Sequence, residues 1–182
     1  MECNRKTRTD DELRAALKHL NYEINMLQDT IKFLGKENIP TPVEYALLES
    51  FAIHARVLIH FLYPSGKIDK DDVLAWDFFQ RMGGKPQDWP DEPVSFKTAR
   101  TRVNKEIAHL TYHRQRVKPE DKGWFYAKFG EEILTIVNHF LTAIPPDLEN
   151  TASHDMTGVK KYTHRVVSTS STELDHYRIQ CL

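Results

Sequence analysis

Residues 9–35 read TDDELRAALKHLNYEINMLQDTIKFLG. Leu13, Leu17, Leu20, Ile24, Leu27, Ile31 and Leu34 recur at alternating spacings of four and three. That period puts one apolar seam along a helix, built to pack lengthwise against another helix. Thr9 and Glu12 stand three apart ahead of the seam as a capping box, and Gly35 follows it as a C-terminal stop. The same grammar repeats downstream. Thr41 and Glu44, with Pro42 at the first helical position, open a second helix that runs to Tyr63, before the break Pro64-Ser65-Gly66. Asp71 or Asp72 caps a short helix through Val73, Leu74, Phe78 and Phe79. A connection from Gln80 to Val94 holds Gly83, Gly84, Pro86, Pro90 and Pro93, and Trp89 is expected to pin it to the body. Phe96–Val117 reads as a third long helix, stopped ahead of Pro119. A fourth spans about Trp124 to Ile144, with Ile133, Val137, Phe140 and Ile144 on one stripe before Pro145-Pro146. No convincing strand appears in these first 145 residues. The expected fold is all-α: an antiparallel bundle of four long helices plus a short one.

Residues 1–146 form this bundle. After Pro146 the apolar spacing is lost and nine of the last 36 residues are Ser or Thr. Residues 147–182 therefore read as a C-terminal appendage, irregular apart from a weak strand over Tyr162–Val167 and removable without unfolding the bundle. The apolar stripes of residues 13–34 and 41–63 exceed what a minimal bundle needs, which predicts a two-fold homodimer.

The charges nearly cancel, 25 Lys and Arg against 26 Asp and Glu. That excludes a uniformly basic nucleic-acid binder and leaves only local patches to consider. Cys3 and Cys181 offer neither a disulfide framework nor zinc spacing. The first residues lack a signal-peptide core, and the most apolar stretch, Tyr45–Tyr63, carries Glu49, His54, Arg56 and His60. No membrane span and a cytoplasmic location are expected. His54 lies in the seam Leu47, Phe51, His54, Leu58, Phe61, where a hydrogen-bonded core histidine is expected, whereas Arg56 can face a cleft.

The segment Lys97–Lys118 stands apart. It holds Lys97, Arg100, Arg102, Lys105, Arg114, Arg116 and Lys118 against one acid, Glu106, a net +6 in a neutral chain. On an unbroken helix Arg102, Glu106, His109 and His113 flank the apolar face on one stripe, with Arg102 and His109 about 10 Å apart along the axis. A guanidinium to hold a phosphate and an imidazole to move a proton suit RNA cleavage without a metal. By spacing alone the same residues also describe a solvated basic flank. His109 and His113 have a chelating i, i+4 spacing near Glu106, but no third strong ligand follows, so neither metal nor cofactor is expected. No P-loop, dinucleotide fingerprint or Ser-His-Asp arrangement is present.

The run TARTRVNKEIAHLTYHR (Thr98–Arg114) resembles the signature helix of the HEPN superfamily, small helical bundles marked by Arg-x(4–6)-His; Arg102 and His109 fit with six intervening residues. Glu49–Tyr63 (ESFAIHARVLIHFLY), followed by Asp71–Phe79 (DDVLAWDFF), is similar to the abortive-infection, AbiU-like branch. Many catalytic members are metal-independent endoribonucleases of phage-defence or toxin–antitoxin systems, with motifs meeting in a dimer cleft. The resemblance implies Arg102 on the phosphate and His109 as the proton-transfer group, with Asn104, Glu106 and His113 in support. Family motifs commonly place a polar residue directly after the arginine, where this chain has Val103 and then Asn104. Lys97, Arg100, Lys105, Arg114 and Arg116 become the RNA contacts, and a cognate antitoxin protein a further partner. The alternative is a non-catalytic helical module that binds nucleotide, RNA or a partner protein.

Overall fold

In the computed structural model, which describes residues 5–118, 121, 123–149 and 179–180, the seam of the first helix is buried from end to end. Helix α1 spans Asp10–Leu34, with Leu13, Leu17, Leu20, Ile24, Leu27 and Leu34 inside and Ile31 partly covered. Its capping box forms in both directions: the Glu12 amide donates to Thr9 Oγ1 at 3.2 Å and the Thr9 amide to Glu12 Oε2 at 2.8 Å.

Helix α2 spans Thr41–Leu62 and corrects one expectation. No box forms between Thr41 and Glu44, because Thr41 is already helical. The Val43 and Glu44 amides instead donate to the Pro40 carbonyl, at 2.8 and 3.0 Å. Helix α2 is long and apolar enough to cross a membrane, yet half of its most apolar window is buried inside the protein. Glu23 bonds to His54, while Ile31 and Phe51 both reach the Gly130 position, so α2 runs antiparallel to α1.

Helix α3 is Ala75–Arg81, α4 is Val94–Arg102 and α5 is Tyr126–Ala143. Gly130 lets α5 approach both earlier helices. A Cβ there would lie 2.2 Å from Ile31 Cδ1 and 3.5 Å from Phe51 Cε2. Mid-helix glycine costs about 1 kcal/mol in propensity, which this close packing offsets. At the other end Phe61, Phe78, Phe79, Trp89 and Phe140 interlock edge-on, with centroids 4.9 Å apart for Phe61–Phe140 and for Phe79–Trp89. Trp89 does pin the 80–94 connection, and Tyr63 Oη donates to the Pro90 carbonyl at 2.9 Å.

Neither Asp71 nor Asp72 caps α3, which begins later than expected. Asp77 Oδ2 accepts the Leu74 amide at 3.0 Å, and Asp72 Oδ2 accepts the Asp69 amide at 2.8 Å. Arg5 ties this segment down: its Nε and Nη2 reach Asp77 at 3.1 and 3.2 Å, and its Nη1 reaches the Asp69 carbonyl at 3.1 Å. Nη2 also donates to the Asp72 carbonyl.

The largest departure concerns the third long helix. It does not run from Phe96 to Val117. Helix α4 ends at Arg102, a π-helical turn covers Val103–Ala108, and His109 is extended at φ −127°, ψ 142°. A 3-10 turn follows at Tyr112–Gln115. Side chains capture the terminal carbonyls: Thr111 Oγ1 donates to Lys105 O at 2.6 Å and Arg114 Nη2 to Ile107 O at 3.0 Å. An unbroken helix would have carried Arg114 into the seam after Ile107 and Leu110; the break puts its guanidinium on a carbonyl instead. Among the described residues the long helices are thus three, α1, α2 and α5, rather than four.

Two further departures concern the C-terminal part. Gly123–Trp124 form a two-residue strand, β1, paired antiparallel with Ile179–Gln180, β2, in a register that sets Gly123 opposite Gln180. Residues 162–167 lie outside the described residues. A short helix α6, Pro146–Glu149, buries Leu148 completely. Arg14 Nε donates to the Asp147 carbonyl and Arg81 pairs with the Asp147 carboxylate, both at 3.5 Å. The helical body therefore extends past residue 146. A chain ending at 146 should lose roughly 2–3 kcal/mol relative to one ending at 150, the worth of one buried leucine. Urea denaturation of the two truncations checks this, and equal midpoints would remove Leu148 from the core.

Candidate nucleic-acid interface

The π-helical turn and its flanks place the basic residues of the 97–118 segment in unequal situations. Arg102, at the end of α4, is clamped. Its Nε lies 3.0 and 3.1 Å from the two Glu106 oxygens and its Nη2 lies 2.9 Å from Oε2. Nη1 donates to Gly123 O and Nη2 to Asp121 O, each at 3.1 Å. The guanidinium also stacks on Trp124, with Cζ 4.3 Å from the ring. The Glu106 side chain is only 9% exposed and meets His113 Nε2 at 4.0 Å.

The structure thus brings together Arg102, Glu106 and His113, and leaves His109 outside that cluster. His109 is exposed, beyond the helix end. The two-turn stripe linking Arg102 to His109 required an unbroken helix, and the π-turn removes it. Asn104 is half-buried, and among the described residues its Oδ1 has no hydrogen-bond partner.

The expected RNA contacts divide likewise. Lys97, Lys105 and Arg116 are exposed. Arg100 turns inward, to Glu92 and the Tyr63 carbonyl, with its side chain 15% exposed. Burial pushes the nearby Tyr63 phenol up to about 12, with Glu92 and Asp91 adding to it. Arg114 is held by the Ile107 carbonyl. Glu106, the one acid of the segment, is consumed by Arg102, so the charge presented outward is positive.

Val103, Ile107 and Ala108 turn the other side of the segment toward a groove of about 790 Å³ between α1 and α2, where His19, Arg56 and His60 also lie. Arg56 faces this groove and is exposed, as the sequence allowed. His54 is the core histidine expected from its seam, buried and bonded to Glu23 at 2.7 Å. At the groove's edge burial raises the Asp72 carboxyl, but the Asp69 amide and His60 outweigh it and hold it below the ordinary carboxylate range. Among the described residues no group of three or more His, Cys, Asp or Glu is placed to hold a metal ion.

Sequence reasoning missed Trp124 and the carbonyls of Asp121 and Gly123. No local pattern links them to an arginine some twenty positions earlier. The one available signal was the isolated GWF run after the basic segment, which reads as the start of a helix.

No protein-family model matches the chain, and no curated protein or solved structure matches it.

Proposed function

We propose that this protein is a HEPN-like helical module that binds RNA as a homodimer. The observation that carries the reading is the electrostatic one. A +6 segment keeps its single acid occupied internally and leaves Lys97, Lys105 and Arg116 in solvent. Exposed cations attract phosphates and release their counterions, so affinity falls steeply with salt. Exposed apolar side chains support a second copy: Ile53 and Val57 border the groove, and Leu110 is 93% exposed. The resemblance carries the rest of the reading, a cytoplasmic defence or toxin–antitoxin context with a cognate antitoxin protein.

The Lys97→Glu/Lys105→Glu/Arg116→Glu variant should bind a single-stranded RNA at least ~100-fold more weakly than the wild type and with a flatter salt dependence. Anisotropy titrations at several salt concentrations read this, and light scattering reads the oligomeric state. Unchanged affinity in the triple variant overturns the RNA reading; a monomer at tens of micromolar overturns the dimer.

One observation favours a second reading, metal-independent RNA cleavage. The His113 imidazole lies against Glu106 beside the clamped guanidinium, and an imidazole there can move a proton as acid or base. Cleavage would survive a chelator and leave 2′,3′-cyclic phosphate ends. Loss of roughly 10²-fold in cleavage for His109→Ala or His113→Ala, with RNA affinity retained, supports it.

A further inference from the structure

A second cavity, about 630 Å³, opens on the α4–α5 side of the Arg102 clamp. Its wall combines Arg102 and Trp124 with Ser95, Phe125, Lys128 and Glu132. Phe125 is half exposed. Trp124 is buried, and among the described residues its Nε1–H has no hydrogen-bond acceptor. Ser95 Oγ donates to Glu132 Oε2 at 2.7 Å, so the hydroxyl oxygen and the carboxylate retain lone pairs that can accept. Lys128 is exposed one helical turn before Glu132.

We propose that this cavity binds a nucleobase of the RNA, and that it selects bases presenting N–H donors, guanine first. The proposal rests on the RNA-binding reading above and names what the interface recognises. A planar base can stack on Phe125, because every base has a π-face and aromatic platforms serve single strands generally. The acceptors Glu132 and Ser95 then meet its Watson–Crick edge. Guanine offers two adjacent donors there, N1–H and the N2 amino group, which suit a carboxylate. Uracil offers one donor between two carbonyl oxygens, and those oxygens would face the carboxylate lone pairs. Lys128 is placed at the rim for the adjoining phosphate, and α4 joins the cavity to the basic segment. A purely apolar ligand would desolvate the Glu132 carboxylate and add no donor to the Ser95 hydroxyl, which disfavours it.

The test uses the full chain and two labelled RNA pentamers, all-uridine and uridine with one central guanosine, titrated by anisotropy. The guanosine pentamer should bind roughly tenfold tighter or more, the weight of one bidentate base contact. Glu132→Gln should abolish that preference, because its amide turns a donor toward guanine N1–H. Phe125→Ala should weaken both pentamers about tenfold by removing the stack. Thermal melts confirm that both variants stay folded, as half-exposed positions permit. Equal affinity for the two pentamers, or a preference that survives Glu132→Gln, overturns the base site while the RNA-binding reading stands. Absence of salt-sensitive binding to either pentamer removes both.

Discussion

Asp77→Ala is expected to cost about 3–5 kcal/mol of folding free energy, the range for removing one partner of a buried ion pair. The Asp77 side chain is 2% exposed and that of Arg5 7%. The carboxylate takes two guanidinium bonds and the Leu74 amide, so it joins the chain before α1 to the start of α3. Its loss strands a guanidinium where water reaches poorly and frees the amide that starts the helix. With total stabilities of about 5–15 kcal/mol, such a loss puts much of the protein near its unfolding threshold. Asp77→Asn should cost less, because the amide oxygen can still accept from Leu74. Urea unfolding followed by circular dichroism reads both variants. A change under about 1 kcal/mol in Asp77→Ala would mean that Arg5 is not part of the packed body.

Arg102→Ala is expected to cost about 3 kcal/mol, by the same logic applied at the interface. It leaves the largely buried Glu106 carboxylate without its counter-ion, two carbonyls without donors and the face of Trp124 uncovered. The double variant Arg102→Ala/Glu106→Ala should lose less than the sum of the single losses, by more than about 1 kcal/mol, since the pair is coupled. Arg102→Lys should not restore stability, because an ammonium cannot bridge a carboxylate and two carbonyls with a planar fork. If Arg102→Ala instead unfolds like the wild type while RNA affinity drops tenfold or more, the guanidinium serves as a phosphate ligand rather than a clamp. The measurement therefore divides a structural role for this arginine from the phosphate-binding role that the family resemblance implies.

The all-α class, the buried seam of α1 and the stops at Gly35 and Pro64 were legible in the sequence, because each rests on interactions within a few residues. Periodicity places an apolar stripe on one side of a helix, and a cap needs only its neighbours. The Thr9–Glu12 box formed as read, whereas Thr41–Glu44 did not, since Pro40 already supplied the carbonyl that the first amides needed. The buried state of His54 and the pinning role of Trp89 were legible too, each from its place among apolar residues.

The end of the third helix was decided by side chains that capture backbone carbonyls. Nothing local in VNKEIAHLTYHR forbids a helix. Thr111 and Arg114 end it by reaching back to carbonyls at Lys105 and Ile107, a competition between side-chain and backbone donors that pattern reading does not weigh. That one break replaced the pair Arg102–His109 with the cluster Arg102–Glu106–His113. The identity and charge of the basic segment were fixed by composition, so the polyanion-binding reading needed no structure. Which of its cations face water was decided only by tertiary partners: Glu92 for Arg100, and Glu106, Trp124 and the 121–123 carbonyls for Arg102. Those partners lie up to twenty-odd residues away in sequence, where a chain of letters carries charge and period but no distance.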